Sequence, residues 1–160
     1  MNPAGRRAPL LLAIAGLGLG SVGVALWTQH GLGMEPCPWC VLQRLIFVAI
    51  GAVALLGLAW RGAFGTGLAK LLILLLAACG VAAALWQHFV AAASDSCNLT
   101  LAEKIVSGLG LDGSLPEIFQ PRASCADAAV RLLGLPYEFW SLGLFVLLAL
   151  LALALRAARR

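Results

Sequence analysis

Hydrophobic residues along the chain occur in four long runs separated by polar segments. The runs cover about residues 10–27, 41–60, 71–90 and 137–155. Each run is close to the ~20 residues that a helix needs to cross the apolar core of a bilayer. Backbone groups in lipid have no water to bond, so such runs must be helical. The pattern predicts an all-α membrane protein, a bundle of four transmembrane helices forming one domain over residues 1–160.

Composition and charge then orient this bundle in the lipid bilayer. The chain is 62% hydrophobic and 11% charged, whereas a soluble domain carries about 25% charged residues. By the positive-inside rule, both termini are cytoplasmic and the loops at about residues 28–40 and 91–136 are extracytoplasmic. The net charge of +4 is dispersed along the chain, so a nucleic-acid partner is not expected. Basic residues alone occupy the predicted cytoplasmic segments: Arg6, Arg7, Arg61, Lys70, Arg156, Arg159 and Arg160. All the acidic residues lie on the other side: Glu35, Asp95, Glu103, Asp112, Glu117, Asp127 and Glu138.

The second extracytoplasmic loop contains one segment with helical periodicity, Thr100–Leu109. Its apolar residues Leu101, Ile105 and Leu109 recur at four-residue spacing. Glycine and proline break regular structure in the rest of the loop. We expect a short amphipathic helix here, which either lies on the membrane surface or packs on top of the bundle.

The cysteines carry the candidate chemistry. Cys37 and Cys40 open the second apolar run, and Cys97 and Cys125 lie in the long loop. A C-x-x-C pair at a helix N-terminus favours a reactive thiolate, because the free N–H groups and the helix dipole stabilise negative charge. Four cysteines allow three pairings, of which proximity favours Cys37–Cys40 and Cys97–Cys125. The fifth, Cys79, lies inside the third run and is interpreted as a small buried hydrophobe.

Arg44 and His88 are the other candidate site residues. Arg44 follows Cys40 by one helical turn, and a charge at the membrane boundary is costly and usually functional. The alternative is an arginine that only extends its charge to the interface. His88 lies next to Gln87 near the end of the third run. Such a polar pair faces either a ligand or the interior of the bundle as a structural histidine.

Two other interpretations of the cysteines stay open at this point. A zinc site at Cys37 and Cys40 would need a second close pair, and Cys97 and Cys125 are far apart in the chain. The Cys97–Cys125 pair also fits a structural disulfide that ties down a long loop. In that case the chain is a non-enzymatic membrane subunit.

The ordered set of motifs resembles the bacterial disulfide bond formation protein B (DsbB) family. The resemblance covers nearly the whole chain, and its motifs are the segment 37–44 (CPWCVLQR), the segments LPEIF and SCA that lead to Cys125, and the Pro136…Trp140-Ser141-Leu142 entry to the fourth run. It implies a protein-dithiol:quinone oxidoreductase in the bacterial inner membrane. Its partner would be a periplasmic thioredoxin-like oxidase of the DsbA type.

The resemblance also implies a role for each candidate residue. Cys97 would form the mixed disulfide with the partner, and Cys125 would pass the electrons to Cys37–Cys40. Cys40 and Arg44, and also His88, would face a membrane quinone, either ubiquinone or menaquinone. The vitamin K epoxide reductase-like family is the nearest rival, but its C-x-x-C follows the loop pair in the chain, whereas Cys37–Cys40 precedes it here.

Overall fold

The computed structural model describes residues 3–60, 62–93 and 100–155. Four long helices dominate it: α1 (Pro3–Leu32), α2 (Pro38–Ala59), α3 (Ala63–Phe89) and α7 (Tyr137–Ala154). Among the described residues, these four helices are long and apolar enough to cross a membrane. The predicted four-helix membrane fold is therefore confirmed. Six residues named above lie outside the described residues: Arg61, Asp95, Cys97, Arg156, Arg159 and Arg160.

Helix α2 is the centre of the bundle. It packs along both α1 and α3, while α3 packs along α7. The contact between α1 and α7 is much lighter, so the four-helix arrangement is loosest on that side. The tryptophans at helix ends, Trp27, Trp60, Trp86 and Trp140, are largely exposed, as side chains in a membrane-interface belt are.

Small residues set the closest helix approaches. Phe145 of α7 is fully buried, and its ring stacks on Phe47 of α2 with centroids 4.0 Å apart. The ring lies directly over Gly80 of α3, where an added Cβ would collide with it. Glycine at this position therefore lets the two helices approach.

Replacing Gly80 with alanine should lower the thermal unfolding midpoint of the detergent-solubilised protein. The new methyl group would meet the Phe145 ring, and overpacking of this kind costs about 1–3 kcal/mol. Gly67→Ala is the matched control, because Gly67 is also in α3 and has open space around it. Both variants gain the same helix propensity, so equal unfolding midpoints would contradict the packing argument.

Basic side chains close the end of the bundle opposite to the C-x-x-C motif, here termed the basic end. Lys70 Nζ donates to the carbonyl oxygens of Leu153 and Leu155, at 3.0 and 3.1 Å, at the C-terminus of α7. Arg7 donates to Gly57 and Trp60 carbonyls at the C-terminus of α2. Cations stabilise the last carbonyls and the negative dipole end of a helix.

The long segment between α3 and α7 contains a short 3₁₀ turn (Ala91–Ala93), three short helices and a small hairpin. The helices are α4 (Leu101–Gly108), α5 (Leu111–Ser114) and α6 (Pro116–Phe119). The hairpin pairs β1 (Arg131–Leu132) antiparallel with β2 (Leu135–Pro136), and its turn places Leu133 and Gly134 at positive φ.

The predicted amphipathic helix is confirmed as α4. Thr100 and Glu103 form a reciprocal capping box at its start. Ala102 and Val106 are buried, and Val106 packs with Val41 of α2, so the helix does rest on the bundle. The predicted apolar stripe points the other way: Leu101, Ile105 and Leu109 remain exposed.

One expectation about the cysteines is wrong. Cys79 is exposed on the outer face of α3 and does not pack in the core. Its neighbour Gly80 is the residue that faces the bundle interior. In a span where nearly every residue is apolar, hydrophobicity does not reveal which face is buried, and this is why the sequence misplaced Cys79.

Candidate active site

The C-x-x-C motif forms the N-terminus of α2. Cys37 is the residue before the helix, and Pro38 occupies the first helical position, where no N–H is needed. The Cys40 backbone N–H donates to Cys37 Sγ at 3.2 Å, and the two sulfurs lie 2.6 Å apart. The helix terminus thus stabilises the first sulfur of the motif directly. The sequence predicts that terminal N–H groups act on the C-x-x-C pair but does not indicate which of its sulfurs accepts.

Cys125 of the long loop is brought to the same point. The backbone N–H groups of Arg122 and Ala123 both donate to the Pro36 carbonyl, at 2.9 and 3.3 Å. These bonds join the two loops immediately before their cysteines. Cys125 is consequently buried and hydrogen-bonded through its side chain to Cys37.

The contact between Cys37 and Cys125 separates the acidities of the two thiols. The pKa of Cys37 is raised well above its ordinary value, first by its hydrogen bond with Cys125, then by that with Cys40 and by burial. The pKa of Cys125 is lowered, first because its sulfur accepts from Cys37 and also because it accepts from the Trp39 backbone. Of the two thiols, Cys125 is therefore the one whose thiolate form is favoured.

Arg44 is buried one turn along α2. Its Nη1 donates to Gln29 Oε1 at 2.8 Å and to the Ile118 carbonyl at 3.0 Å. Its Nη2 donates to the Ala25 carbonyl at 3.4 Å. Arg44 thus ties α1 and α6 to α2. Within the described residues, no carboxylate pairs with its charge.

A chain of amides supports Cys40 from the α3 side. Gln43 Nε2 donates to Gln87 Oε1 at 2.7 Å, and Gln87 Nε2 donates to Cys40 Sγ at 3.3 Å. Both glutamines are buried. A donor fixed on the sulfur favours its anionic form, so Gln87 positions and stabilises Cys40.

His88 lies in the last turn of α3, and its ring packs between Phe89 and Phe139, with centroid distances of 4.9 and 4.7 Å. Its Nδ1 lies 2.6 Å from Glu138 Oε1. Glu138 begins α7 and is buried, with 5% of its surface exposed. His88 itself is not part of the cavity wall described next, and it reaches that wall through Glu138.

A cavity of about 650 Å³ lies between α1, α2 and α7, on the side where the helices pack loosely. Its wall is mainly apolar, with residues such as Val24, Phe47 and Leu144. Polar groups enter it at the end that holds the cysteines: Cys40, Gln43, Arg44, Gln87, Thr28, Tyr137 and Glu138. An apolar chamber with a few convergent polar groups is the usual form of a small-molecule site.

The structure therefore brings five of the six predicted site residues to one end of the bundle. Cys37, Cys40 and Cys125 form a sulfur cluster, Arg44 lies beside it and His88 lies behind Glu138. The sixth, Cys97, lies outside the described residues. Sequence reasoning did not assign Gln29, Gln87 or Glu138 to the site. The available signal was a polar side chain within or at the start of an apolar span.

Fold and site together define a multi-pass membrane protein with a thiol-based redox centre at one end. The sequence profile of the family described as Disulfide bond formation protein DsbB matches residues 6–155. The chain is 39% identical over 147 residues to Disulfide bond formation protein B of Pseudomonas syringae pv. tomato, which covers 91% of this chain and 86% of that protein. It is 36% identical over 155 residues to the protein of the same name from Aromatoleum aromaticum, covering 94% and 93%. The chain belongs to the DsbB family, as the resemblance in its motifs indicated.

Proposed function

We propose that this protein is a protein-dithiol:quinone oxidoreductase. It oxidises a periplasmic thioredoxin-like oxidase of the DsbA type and passes the electrons to membrane quinone, which sustains disulfide formation in the periplasm. The observation that carries this is the position of Cys40. Its sulfur contacts Cys37, which contacts Cys125, and it also forms part of the wall of the apolar cavity.

The cavity fits a quinone in size and in the kind of donors that it presents. Its volume of about 650 Å³ is within the range of small-molecule pockets, about 300–1,000 Å³. Arg44 and Gln43 supply N–H donors suited to carbonyl oxygens, and the apolar walls from α1 and α7 suit a prenyl tail. When bound, ubiquinone or menaquinone supplies an acceptor of two electrons and two protons.

The sulfur contacts support a relay of four exchanges, each of which breaks one S–S bond and forms one. The partner's thiolate attacks Cys97 of a Cys97–Cys125 disulfide and releases the Cys125 thiolate. Cys125 attacks Cys37, with which it is hydrogen-bonded, and this releases Cys40. The partner's second thiolate then releases Cys97, and Cys97 recaptures Cys125, which frees Cys37. Cys40 gives up two electrons at the cavity as it reforms its bond with Cys37.

The charges at the two ends of the bundle support one orientation in the membrane. Arg7 and Lys70 lie at the basic end, whereas the sulfur cluster and the acidic residues that the structure describes lie at the other. We infer that the single four-span domain sits in the bacterial inner membrane with both termini cytoplasmic and its sulfurs periplasmic. Thiol exchange with a periplasmic partner requires this orientation, because disulfides persist in that compartment.

The direct test is single-turnover quinone reduction, followed by ultraviolet absorbance. The purified protein is mixed with a reduced thioredoxin-like periplasmic dithiol protein and a soluble quinone analogue. We expect the wild type to reduce quinone and Cys97→Ser to fail with the partner protein. No reduction with either a ubiquinone or a menaquinone analogue, while the disulfides stay intact, would overturn the function and favour a structural subunit.

Filling the cavity should block quinone without disturbing the sulfurs. Gly20 forms part of the wall, and an added Cβ there meets nothing within 4 Å. Gly20→Leu should raise the apparent KM for quinone about tenfold or more, which corresponds to at least about 1.4 kcal/mol of lost binding.

The matched control for this variant is Gly23→Leu. Gly23 is also an open position on α1, but it is not part of the cavity wall. Its apparent KM should equal that of the wild type. Equal KM values for the two leucine variants would place the quinone elsewhere.

A further inference from the structure

Glu138 has an unusual environment for a carboxyl group. One oxygen, Oε1, lies 2.6 Å from His88 Nδ1. The other, Oε2, is buried and has no hydrogen-bond partner among the described residues. A buried polar oxygen without a partner is costly. Since Glu138 forms part of the cavity wall, the missing partner is one that the cavity supplies.

His88 connects this buried carboxyl group to the surface. Its side chain is 32% exposed, and it lies in the last turn of α3, where the apolar helix meets the polar loop. A histidine bound through one ring nitrogen has the second nitrogen, Nε2, free to exchange a proton with water. The pair thus links the partly exposed end of α3 to the cavity wall.

Quinone reduction in the cavity would need such a route. Formation of the Cys37–Cys40 disulfide delivers two electrons, and the quinone must also receive two protons. Thiol exchange proceeds through thiolates, whose protons have already been lost to water. The protons must therefore return to the cavity through a group other than sulfur.

We propose that Glu138 and His88 form a proton-transfer pair that supplies these protons to the acceptor in the cavity. This inference rests on the proposed function. Oε2 of Glu138 releases a proton into the cavity, and Oε1 takes one from His88 Nδ1. His88 gains a proton from water at Nε2 as it gives up the one at Nδ1. Exchange of the ring proton with water then restores the Nδ1–H tautomer, and rotation of the carboxyl group resets Oε2. Two such cycles balance the two electrons given up by the dithiol.

The other titratable groups of the cavity wall do not provide the same path for protons. The remaining titratable side chains of the cavity wall are Glu35, Cys40, Arg44 and Tyr137. Glu35 is exposed, and an arginine such as Arg44 does not release its proton in proteins. The rings that flank His88, Phe89 and Phe139, carry no ionisable group. Among these groups, Glu138 is the one whose carboxyl group is buried at the wall and bonded to a histidine that is partly exposed.

Glu138→Gln is the decisive variant, because glutamine keeps an oxygen for the His88 N–H but does not carry the proton. Single-turnover reduction should slow by about 100-fold, within the range lost with a general acid. Quinone affinity, measured by tryptophan fluorescence quenching, should be unchanged. Glu138→Asp should recover part of the rate. Glu117→Gln is the control, since Glu117 is an exposed carboxylate at the same end, paired with Arg122.

Two further readouts separate proton transfer from a structural role. The wild type should show a solvent deuterium isotope effect on the reduction step, and His88→Gln should slow reduction while its unfolding midpoint is retained. In the quinone-free protein, the infrared carboxyl band that shifts in deuterium oxide should be absent from Glu138→Gln. A wild type that reduces quinone, with Glu138→Gln equally fast and equally sensitive to deuterium, overturns the relay alone. A wild type that reduces no quinone overturns the proposed function itself.

Discussion

Replacing Cys40 with serine should abolish quinone reduction while leaving the outer thiol exchange intact. Cys40 is the sulfur at the cavity wall, and a serine hydroxyl does not take part in disulfide exchange. We expect a loss on the order of 10³-fold or more, as is usual when a covalent nucleophile is removed. The measurement is single-turnover absorbance of a soluble quinone with the reduced periplasmic partner.

The same variant should accumulate the disulfide intermediate that precedes electron transfer at the cavity. Without Cys40, Cys37 has no partner in its own motif, and Cys125 is the sulfur that it contacts. Attack of the Cys37 thiolate on Cys125 of a Cys97–Cys125 disulfide breaks that bond, forms a Cys37–Cys125 bond and releases the Cys97 thiolate. Non-reducing mass spectrometry should therefore detect a Cys37–Cys125 bond in Cys40→Ser.

Cys79→Ser is the control for both experiments, because Cys79 is exposed on the outer face of α3, away from the sulfur cluster. It should behave as the wild type in each of them. Quinone reduction that persists in Cys40→Ser would show that electrons leave the protein from another sulfur.

Local sequence patterns were sufficient to predict part of the site. The spacing of Cys37, Pro38 and Cys40 at the start of an apolar run predicts a helix N-terminus, and the structure begins α2 at Pro38. Arg44 falls beside Cys40 for the same reason, since residues four apart share a helix face. Each of these inferences depends only on the geometry of one helix.

Contacts between distant segments were not predictable in the same way. The sequence did not predict the hydrogen bond between Cys125 and Cys37. The pairing of Cys125 with Cys97 stays a prediction, because Cys97 lies outside the described residues. The contact between Cys125 and Cys37 depends on the Pro36 carbonyl, which accepts two backbone N–H groups from the other loop. No side-chain pattern encodes such a backbone bond.

Glu138 illustrates a second limit of sequence reasoning. In the sequence it serves as a marker of membrane orientation, like the other acidic residues. In the structure it is buried, whereas Glu117 is exposed. The difference arises because Glu138 starts α7 next to α3, where His88 provides a partner. Packing between α7 and α3 buries Glu138 beside His88, and one sequence does not reveal which helices are neighbours.

Arg44→Met should weaken quinone binding while thiol exchange between the partner and the outer cysteines is retained. The guanidinium is buried at the cavity wall with no carboxylate partner among the described residues, so its charge is available to a carbonyl oxygen. A hydrogen bond from a charged group contributes about 1.5–3 kcal/mol, so the apparent KM for quinone should rise about 10- to 100-fold. The KM is measured by steady-state quinone reduction, and exchange by quenched alkylation of the mixed disulfide.

Arg44 also has a structural role, and the variants must separate it from quinone binding. Its bonds to Gln29 and to the Ile118 carbonyl tie α1 and α6 to α2, so Arg44→Met should also lower the unfolding midpoint. Arg44→Lys keeps the charge but loses the planar set of donors. Its KM for quinone should therefore lie between those of the wild type and Arg44→Met. Arg122→Met removes an exposed arginine from the same end and should leave KM unchanged. A lower unfolding midpoint with an unchanged KM in Arg44→Met would assign Arg44 to the fold alone, because a residue that binds the acceptor cannot be lost without a change in its affinity.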